Sequence, residues 1–360
     1  EINTRSYSLP SLLSQPSLQL FPGAYVLLKD LTLPNEGALL ALYNEESQLI
    51  HGVSYRVPWG APEWKKQGGW ALESPDPHQS CLISQRWVYS ENPSGGTPGG
   101  VNSQETMGMD QEPPLMLYYG YGETGEMILY YSEPLQPDKL EREDFMIRPG
   151  SVCAEKVSLS SPLASELVLR FSEDLQDRRL FRMELPVLAD CQGNLSRKET
   201  LIGGEIQAPA HRTLLINEIM YHPQEGFPEY VEVYNPGTDY CDLQEFSFHV
   251  VEKGESPDRP HPLSSRSRIC LPGQFLVLTS CVPWLEEAYG LAPSGSWVEM
   301  EDLPSMKNSG GALWLTDRAG SVVDQVTYSE EMHMELLSDS RGISPVSYTH
   351  LTLPTKEDEC

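Results

Sequence analysis

The chain reads as short apolar runs punctuated by Pro, Gly, Asn and Asp, which is the rhythm of strands joined by turns. In "PEYVEVYNPGT" the alternation is strict. Val231 and Val233 face one side, Tyr230, Glu232 and Tyr234 the other, and Asn235-Pro236-Gly237 closes the strand. "LLINEIMYHP" predicts a strand from Leu214 to Tyr221, stopped at His222-Pro223, and "DLQEFSFHVV" predicts another. "EMILYYSEPLQPDKL" and "ELVLRFSEDLQDRRLFRMELP" predict strands that share a Ser-Glu-x-Leu exit, with a loop at "LADCQGN" and a last strand near "TLIGGEIQ". Only "PWLEEAYG" has a helical pattern, ended by Gly290.

One pattern occurs twice. Asn35 to Tyr55 lies over Asn308 to Tyr328 without a gap, matching Asn35/Asn308, Gly37/Gly310, Leu40/Leu313, Leu42/Leu315, Val53/Val326 and Tyr55/Tyr328. Upstream, "LFPGAYVLL" matches "CLPGQFLVL", each a Pro-Gly turn followed by an apolar strand. A shared fold predicts that Leu40, Leu42 and Val53 are buried as Leu313, Leu315 and Val326 are.

Composition narrows the classes. The length of 360 residues leaves room for two or three domains, and 30 prolines with 28 glycines suit an all-β chain rich in turns. A net charge of −27, with no cluster of Lys and Arg, argues against a nucleic-acid partner. No apolar run reaches membrane-spanning length. The start, "EINTRSYSLP", carries neither Met nor a signal peptide, so the natural N-terminus is expected to lie upstream. The seven cysteines, Cys81, Cys153, Cys191, Cys241, Cys270, Cys281 and Cys360, form no CxxC pair, which excludes a zinc ribbon pattern. Disulfides and buried free thiols both remain open, and Cys153 and Cys191 are expected to approach each other within one domain.

The string "LLINEIMYHP…PEYVEVYNPGTDYCDLQEF…LPGQFLVL…NSGGALWLTDRAGSVVDQVTY" resembles the lamin-tail domain in its bacterial form. That resemblance implies an Ig-like β-sandwich. The first copy is similar to the later two-thirds of the same domain and ends in "GGWALE…GGTPGGVNS". "YYSEPL", "RFSEDL" and "LADCQGN" resemble bacterial Ig-like domains of exported proteins. The expected fold class is therefore all-β, as tandem Ig-like β-sandwiches. Residues 1–103 form a lamin-tail-like sandwich lacking its N-terminal strands, and 104–113 a linker. Residues 114–209 form the bacterial Ig-like sandwich, and 210–344 a second lamin-tail-like domain, C-terminally truncated. Residues 345–360 resemble a translated sequencing adapter: the transposase mosaic end CTGTCTCTTATACACATCT and the bases after it encode "VSYTHLTLPT" in one frame, so this tail is expected to have evolved under no folding constraint.

Candidate chemistry is sparse. Glu218, Glu229 and Glu232 have two readings: an acid–base or cation-binding group, or carboxylates bonded to backbone and Arg. Asp324 aligns with His51, so no carboxylate is shared between the copies, and a satisfied strand-edge or turn Asp is expected. Trp59, Trp64, Trp70 and Trp87 crowd the first module, as a sugar-stacking surface or as core and edge residues. No HExxH, Gly-x-Ser-x-Gly or phosphate-loop motif occurs, and the scattered histidines suggest no metal. No catalytic, cofactor-binding or metal residue is assigned. The resemblances imply a non-enzymatic, exported surface protein acting as spacer, scaffold or adhesion module, with protein or glycan partners at the cell surface. Two alternatives stand beside it: the accessory region of a larger surface hydrolase, and a carbohydrate-binding module.

Overall fold

The computed structural model describes residues 33–35, 37–43, 49–57, 61–74, 87–104, 111–123, 125–136, 140–160, 165–190, 192–252, 256–291, 294–329 and 341–342. Two compact units divide the chain, Glu1–Glu112 and Pro113–Cys360. Nearly all regular structure is β, and among the described residues no helix is long and apolar enough to cross a membrane. Trp59, Cys81, Cys191, Cys360 and the adapter-like tail lie outside the described residues.

The first unit contains β1 (Gly37–Tyr43), β2 (Leu49–Arg56), a one-turn helix α1 (Glu63–Lys66), β3 (Leu72–Glu73) and β4 (Val88–Tyr89). β1 pairs with β2 and β3 with β4, both antiparallel.

In the second unit a sandwich comes first. Its strands are β5 (Met116–Tyr121), β6 (Glu126–Tyr131), β7 (Met146–Arg148), β8 (Val152–Cys153), β9 (Lys156–Ser160), β10 (Glu166–Arg170), β11 (Leu180–Leu185) and β12 (Glu199–Gly204). They form two sheets, β5-β6-β10-β9 and β12-β11-β7-β8. Alternate residues meet between them: Met127, Leu129, Leu167 and Leu169 from one sheet, Ile147, Phe181 and Met183 from the other. Asp190 organises the "LADCQGN" loop. Its buried carboxylate accepts from the backbone N–H of Gln192 and Asn194, both at 2.8 Å, and from the Asn194 side chain. Cys153, half-buried in β8, is a free thiol.

A second sandwich follows, with β13 (Leu215–Met220), β14 (Tyr230–Tyr234), β15 (Cys241–Asp242), β16 (Phe246–Val251), β17 (His261–Pro262), β18 (Ile269–Cys270), β19 (Phe275–Thr279), α2 (Val282–Tyr289), β20 (Trp297–Glu299), β21 (Gly311–Asp317) and β22 (Val322–Tyr328). The sheets are β13-β14-β19-β20 and β17-β16-β21-β22, with a ribbon, β15-β18, at one end. Val231 and Val233 are buried while Tyr230, Glu232 and Tyr234 lie on the more exposed face, as the alternation requires. Helix α2 stops at Gly290, which takes the left-handed conformation at φ 63°.

The repeated stretches form the same hairpin. Ala38 faces Tyr55, Leu40 faces Val53 and Leu42 faces His51; in the second copy Gly311 faces Tyr328, Leu313 faces Val326 and Leu315 faces Asp324. These are equivalent positions throughout. Both registers shift just after the second leucine, at Leu42/Tyr43 and Leu315/Thr316. Gly37 and Gly310 both have positive φ, 136° and 107°, and a Cβ on either would meet the carbonyl oxygen of the equivalent tyrosine at 2.5 or 2.6 Å. Only glycine fits that approach.

Burial is shared at the valines and not at the leucines. Val53 and Val326 are both half-buried, whereas Leu313 and Leu315 are fully buried, Leu42 is 41% exposed and Leu40 is half-buried. The expectation of equal burial is thus corrected for Leu40 and Leu42. Leu313 and Leu315 lie in a core formed with the sheet opposite, including Ile216, Val231 and Leu278. Among the described residues of the first unit, no second sheet covers β1–β2.

Candidate functional site

Of the tryptophans in the first unit, Trp64, Trp70 and Trp87 are described. Trp64 and Trp70 lie 5.0 Å apart with planes at 78°, so the two rings cannot stack on one sugar face together. Lys65 fills the angle, its ammonium 4.8 Å from the Trp70 ring and 5.4 Å from that of Trp64, while Nζ donates to the Ser90 carbonyl at 2.9 Å. Trp64 is 55% exposed. Trp87 stands apart, half-buried, and its indole N–H is buried with no hydrogen bond among the described residues.

What holds this region is a carboxylate. Glu73, 5% exposed, accepts from the Thr97 hydroxyl at 2.8 Å and from both the backbone N–H and the hydroxyl of Ser103 at 2.7 Å. Burial pushes its pKa up, but the hydrogen bonds from Ser103, Ser90 and Thr97 outweigh that and hold it below the ordinary value. The segment from "GGWALE" to "GGTPGGVNS" is thus closed on itself by Glu73.

Carboxylates of the second unit are likewise engaged. Glu218 faces Glu232 across β13–β14. Glu218 accepts from the Tyr230 hydroxyl at 2.6 Å, and Glu232 from the Asn217 amide at 2.6 Å. Burial raises the pKa of Glu232 against the Asn217 bond, with the Glu218 charge adding to it, and burial raises that of Glu229 as well. Asp324 accepts from the Ile216 N–H at 2.8 Å, tying β22 to the edge strand β13. Among the described residues no group of His, Cys, Asp and Glu is arranged to hold a metal ion. His261, nearly buried, lies between two carboxylates, Nδ1 2.5 Å from Asp302 and Nε2 2.9 Å from Asp258. Arg259 also pairs with Asp302, at 2.7 Å.

The most specialised chemistry is the junction between the two sandwiches of the second unit, on the segment Arg266-Ser267-Arg268-Ile269. Arg268 is buried. Its Nη2 donates to the carbonyls of Gly295 at 2.9 Å and Trp297 at 2.6 Å, and its guanidinium lies 4.0 Å above the Tyr118 ring of β5. Burial pulls its pKa down to about 10, so it keeps its charge at neutral pH. Ser267 accepts from the Tyr121 N–H at 2.9 Å and donates to Asp242 at 2.6 Å. Arg266 pairs with Glu166 of β10 at 2.6 Å. Tyr240 and Ile269 belong to the core of the preceding sandwich, and the backbone of Ile206 bridges to Tyr240.

Two glycines mark how closely the halves approach. A Cβ at Gly120 would meet the Ser267 carbonyl oxygen at 2.0 Å, and one at Gly295 would meet that of Leu117 at 1.8 Å. None of this was signalled in the sequence, because every partner of Arg268 is distant along the chain.

These sheets, alternating strands and closed ends define a β-sandwich module protein. Residues 207–330 match the model of the Lamin Tail Domain family, whose fold is Ig-like, and the second sandwich lies within this stretch. Among solved structures, similarity is found to the N-terminal part of the bacterial S-layer protein SbsC, at 12% identity over 60% of this chain and 43% of that one, with a TM-score of 0.24. A DUF4876 family protein from Bacteroides thetaiotaomicron VPI-5482 is similar at 11% identity over 49% of this chain and 64% of that one, with a TM-score of 0.20. The chain spans less than two thirds of either, and neither likeness is close enough to define the overall fold. No curated protein matches the chain.

Proposed function

We propose that this chain is a non-enzymatic spacer and scaffold region of an exported surface protein, with residues 113–329 acting as one stiff body rather than two beads on a string. The observation that carries the reading is the buried junction at Arg268. A mobile joint between domains is polar, wet and loosely packed. Here a buried arginine, two backbone approaches open only to glycine, and two side chains seated in the neighbouring core replace such a joint. The engaged carboxylates support the non-enzymatic half of the proposal. Glu218, Glu232 and Asp324 each accept a hydrogen bond from a neighbouring strand or side chain.

Pulling the full chain from its two ends tests this. The reading expects residues 113–329 to extend in a single rupture. Two separate ruptures, one for each sandwich, would refute it. On the alternative that the chain is the accessory region of a larger hydrolase, catalysis would reside in residues beyond these, and the same stiffness would set their distance from the surface.

A second reading, glycan binding, is favoured by one observation: Trp64 leaves over half of its surface open beside Lys65. Tryptophan fluorescence titrated with a glycan panel tests it. The reading requires a saturable change that the Trp64→Ala variant loses, and no response to any glycan removes it.

A further inference from the structure

The ribbon that carries the junction also carries two cysteines face to face. Cys241 in β15 and Cys270 in β18 are register partners. Two residues along, the Leu243 N–H donates to the Arg268 carbonyl at 2.9 Å, which makes 243/268 a hydrogen-bonded pair and, by the period of two, 241/270 another. Such pairs place their Cα atoms about 5.5 Å apart, in the middle of the range a disulfide spans. Both side chains are fully buried free thiols, and Cys270 Sγ donates to the Leu271 carbonyl oxygen at 3.9 Å. The register therefore supplies the spacing, and as directly opposite residues of an antiparallel pair the two cysteines present their side chains on the same face of the ribbon. Cys153, the thiol of the other sandwich, and Cys281, which precedes α2, share no strand register with either.

We propose that Cys241 and Cys270 form a disulfide that locks the β15–β18 ribbon, a covalent site that goes beyond the spacer reading and does not depend on it. The bond would join the strand bearing Tyr240 and Asp242 to the strand bearing Ser267, Arg268 and Ile269, the two halves of the junction. In the thiol state the Cys270 pKa is pushed well above its ordinary value, by the Cys241 contact and then by burial. A neutral, buried thiol is a poor nucleophile, so the bond forms during folding, before the ribbon closes.

The oxidant is a disulfide, either oxidised glutathione or the active-site disulfide of a thiol–disulfide oxidoreductase. One cysteine thiolate attacks it, forming a mixed disulfide and releasing one thiolate. The second cysteine thiolate attacks the protein sulfur of that bond and releases the other. Two protein thiols become one disulfide, and their two electrons and two protons reduce the oxidant to two thiols.

The test is to synthesise the full chain in a cell-free mixture buffered by reduced and oxidised glutathione. Free thiols are then alkylated under denaturing conditions, and the unreduced peptides are mapped by mass spectrometry. The expected result is a linked pair of peptides containing Cys241 and Cys270, two hydrogens lighter than the separate thiols. Reduction should lower the melting midpoint of residues 113–329 by about 10 °C. The Cys241→Ala/Cys270→Ala double variant should show no redox dependence of its midpoint. Recovery of both cysteines alkylated, or linked to other cysteines, would overturn the proposal. The mapping is indifferent to the number of rupture events under force, so the disulfide and the stiff-body reading can fail separately.

Discussion

The hairpins β1–β2 and β21–β22 share a register, a bulge position and a glycine that no other residue can replace, yet Leu313 and Leu315 are buried where Leu40 is half-buried and Leu42 exposed. The terminal tyrosine repeats in register, Tyr55 opposite Ala38 and Tyr328 opposite Gly311, but Tyr55 donates to the Pro34 carbonyl at 2.9 Å whereas the buried Tyr328 hydroxyl has no hydrogen-bond partner among the described residues. The shared features are set within some twenty residues, by alternation, a positive-φ glycine and a terminal tyrosine. The burial is set from outside. In the second unit the Asp324 carboxylate takes the Ile216 N–H, and Ile216, Val231 and Leu278 cover the leucines. The aligned position of the first copy carries His51, which has no carboxylate to offer. A repeated sequence therefore specifies the hairpin and leaves its partner to the rest of the module.

Substitutions at equivalent positions can break this comparison, each read in the full chain by denaturant unfolding with hydrogen exchange followed in both hairpins. The largest contrast is expected at the second leucine. Leu315→Ala should cost about 3 kcal/mol by opening a cavity in a closed core, and Leu42→Ala under about 1 kcal/mol at its exposed site. Equal losses would show that β1–β2 is covered after all. Gly310→Ala and Gly37→Ala should behave alike, each costing about 2 kcal/mol locally, because the clash is with backbone of the same hairpin. A cost at only one of them would mean the hairpins differ in backbone as well as in burial.

Smaller effects sharpen the picture. Asp324→Ala should cost about 1–2 kcal/mol by leaving the Ile216 N–H without its acceptor. Least of all, Glu232→Gln should stabilise the second unit by a few tenths of a kcal/mol, roughly, at neutral pH. Burial raises the Glu232 pKa in the folded state, so the folded protein holds this proton more tightly than the unfolded chain does. Stability from this group is therefore full below the unfolded value near 4.5 and is lost as pH rises through the folded value. The Gln variant should gain on wild type as pH rises across that window and match it below. A gain that does not change with pH would remove this explanation.

Much of the fold was legible because it is local. The alternation of Val231 and Val233, the Gly290 stop of α2 and the Asp190 loop all follow from residues close in sequence. The burial of the first hairpin was misread because alternation identifies an apolar face without identifying what covers it. The junction was illegible for a related reason. Arg268 in "RSRIC" looks like an exposed basic residue until β5 brings Tyr118, and the segment entering β20 brings Gly295 and Trp297, around it. The tryptophans are visible as a cluster in the sequence, but the 78° between the Trp64 and Trp70 rings is not. The role of Glu73 is not legible in "GGWALE", since its donors Thr97 and Ser103 come within reach only once the chain doubles back.

The central claim is that residues 113–329 are one cooperative body. Native-state hydrogen exchange on the full chain tests it most directly, by comparing the slowest amides of β10, around Leu167 and Leu169 in the first sandwich, with those of β14 and β21 in the second. The expected result is a single opening free energy for all three strands, lowered together by Arg268→Ala. Exchange of β10 at a distinctly lower free energy than β14 and β21, unchanged by Arg268→Ala, would contradict the claim and make the sandwiches independent domains.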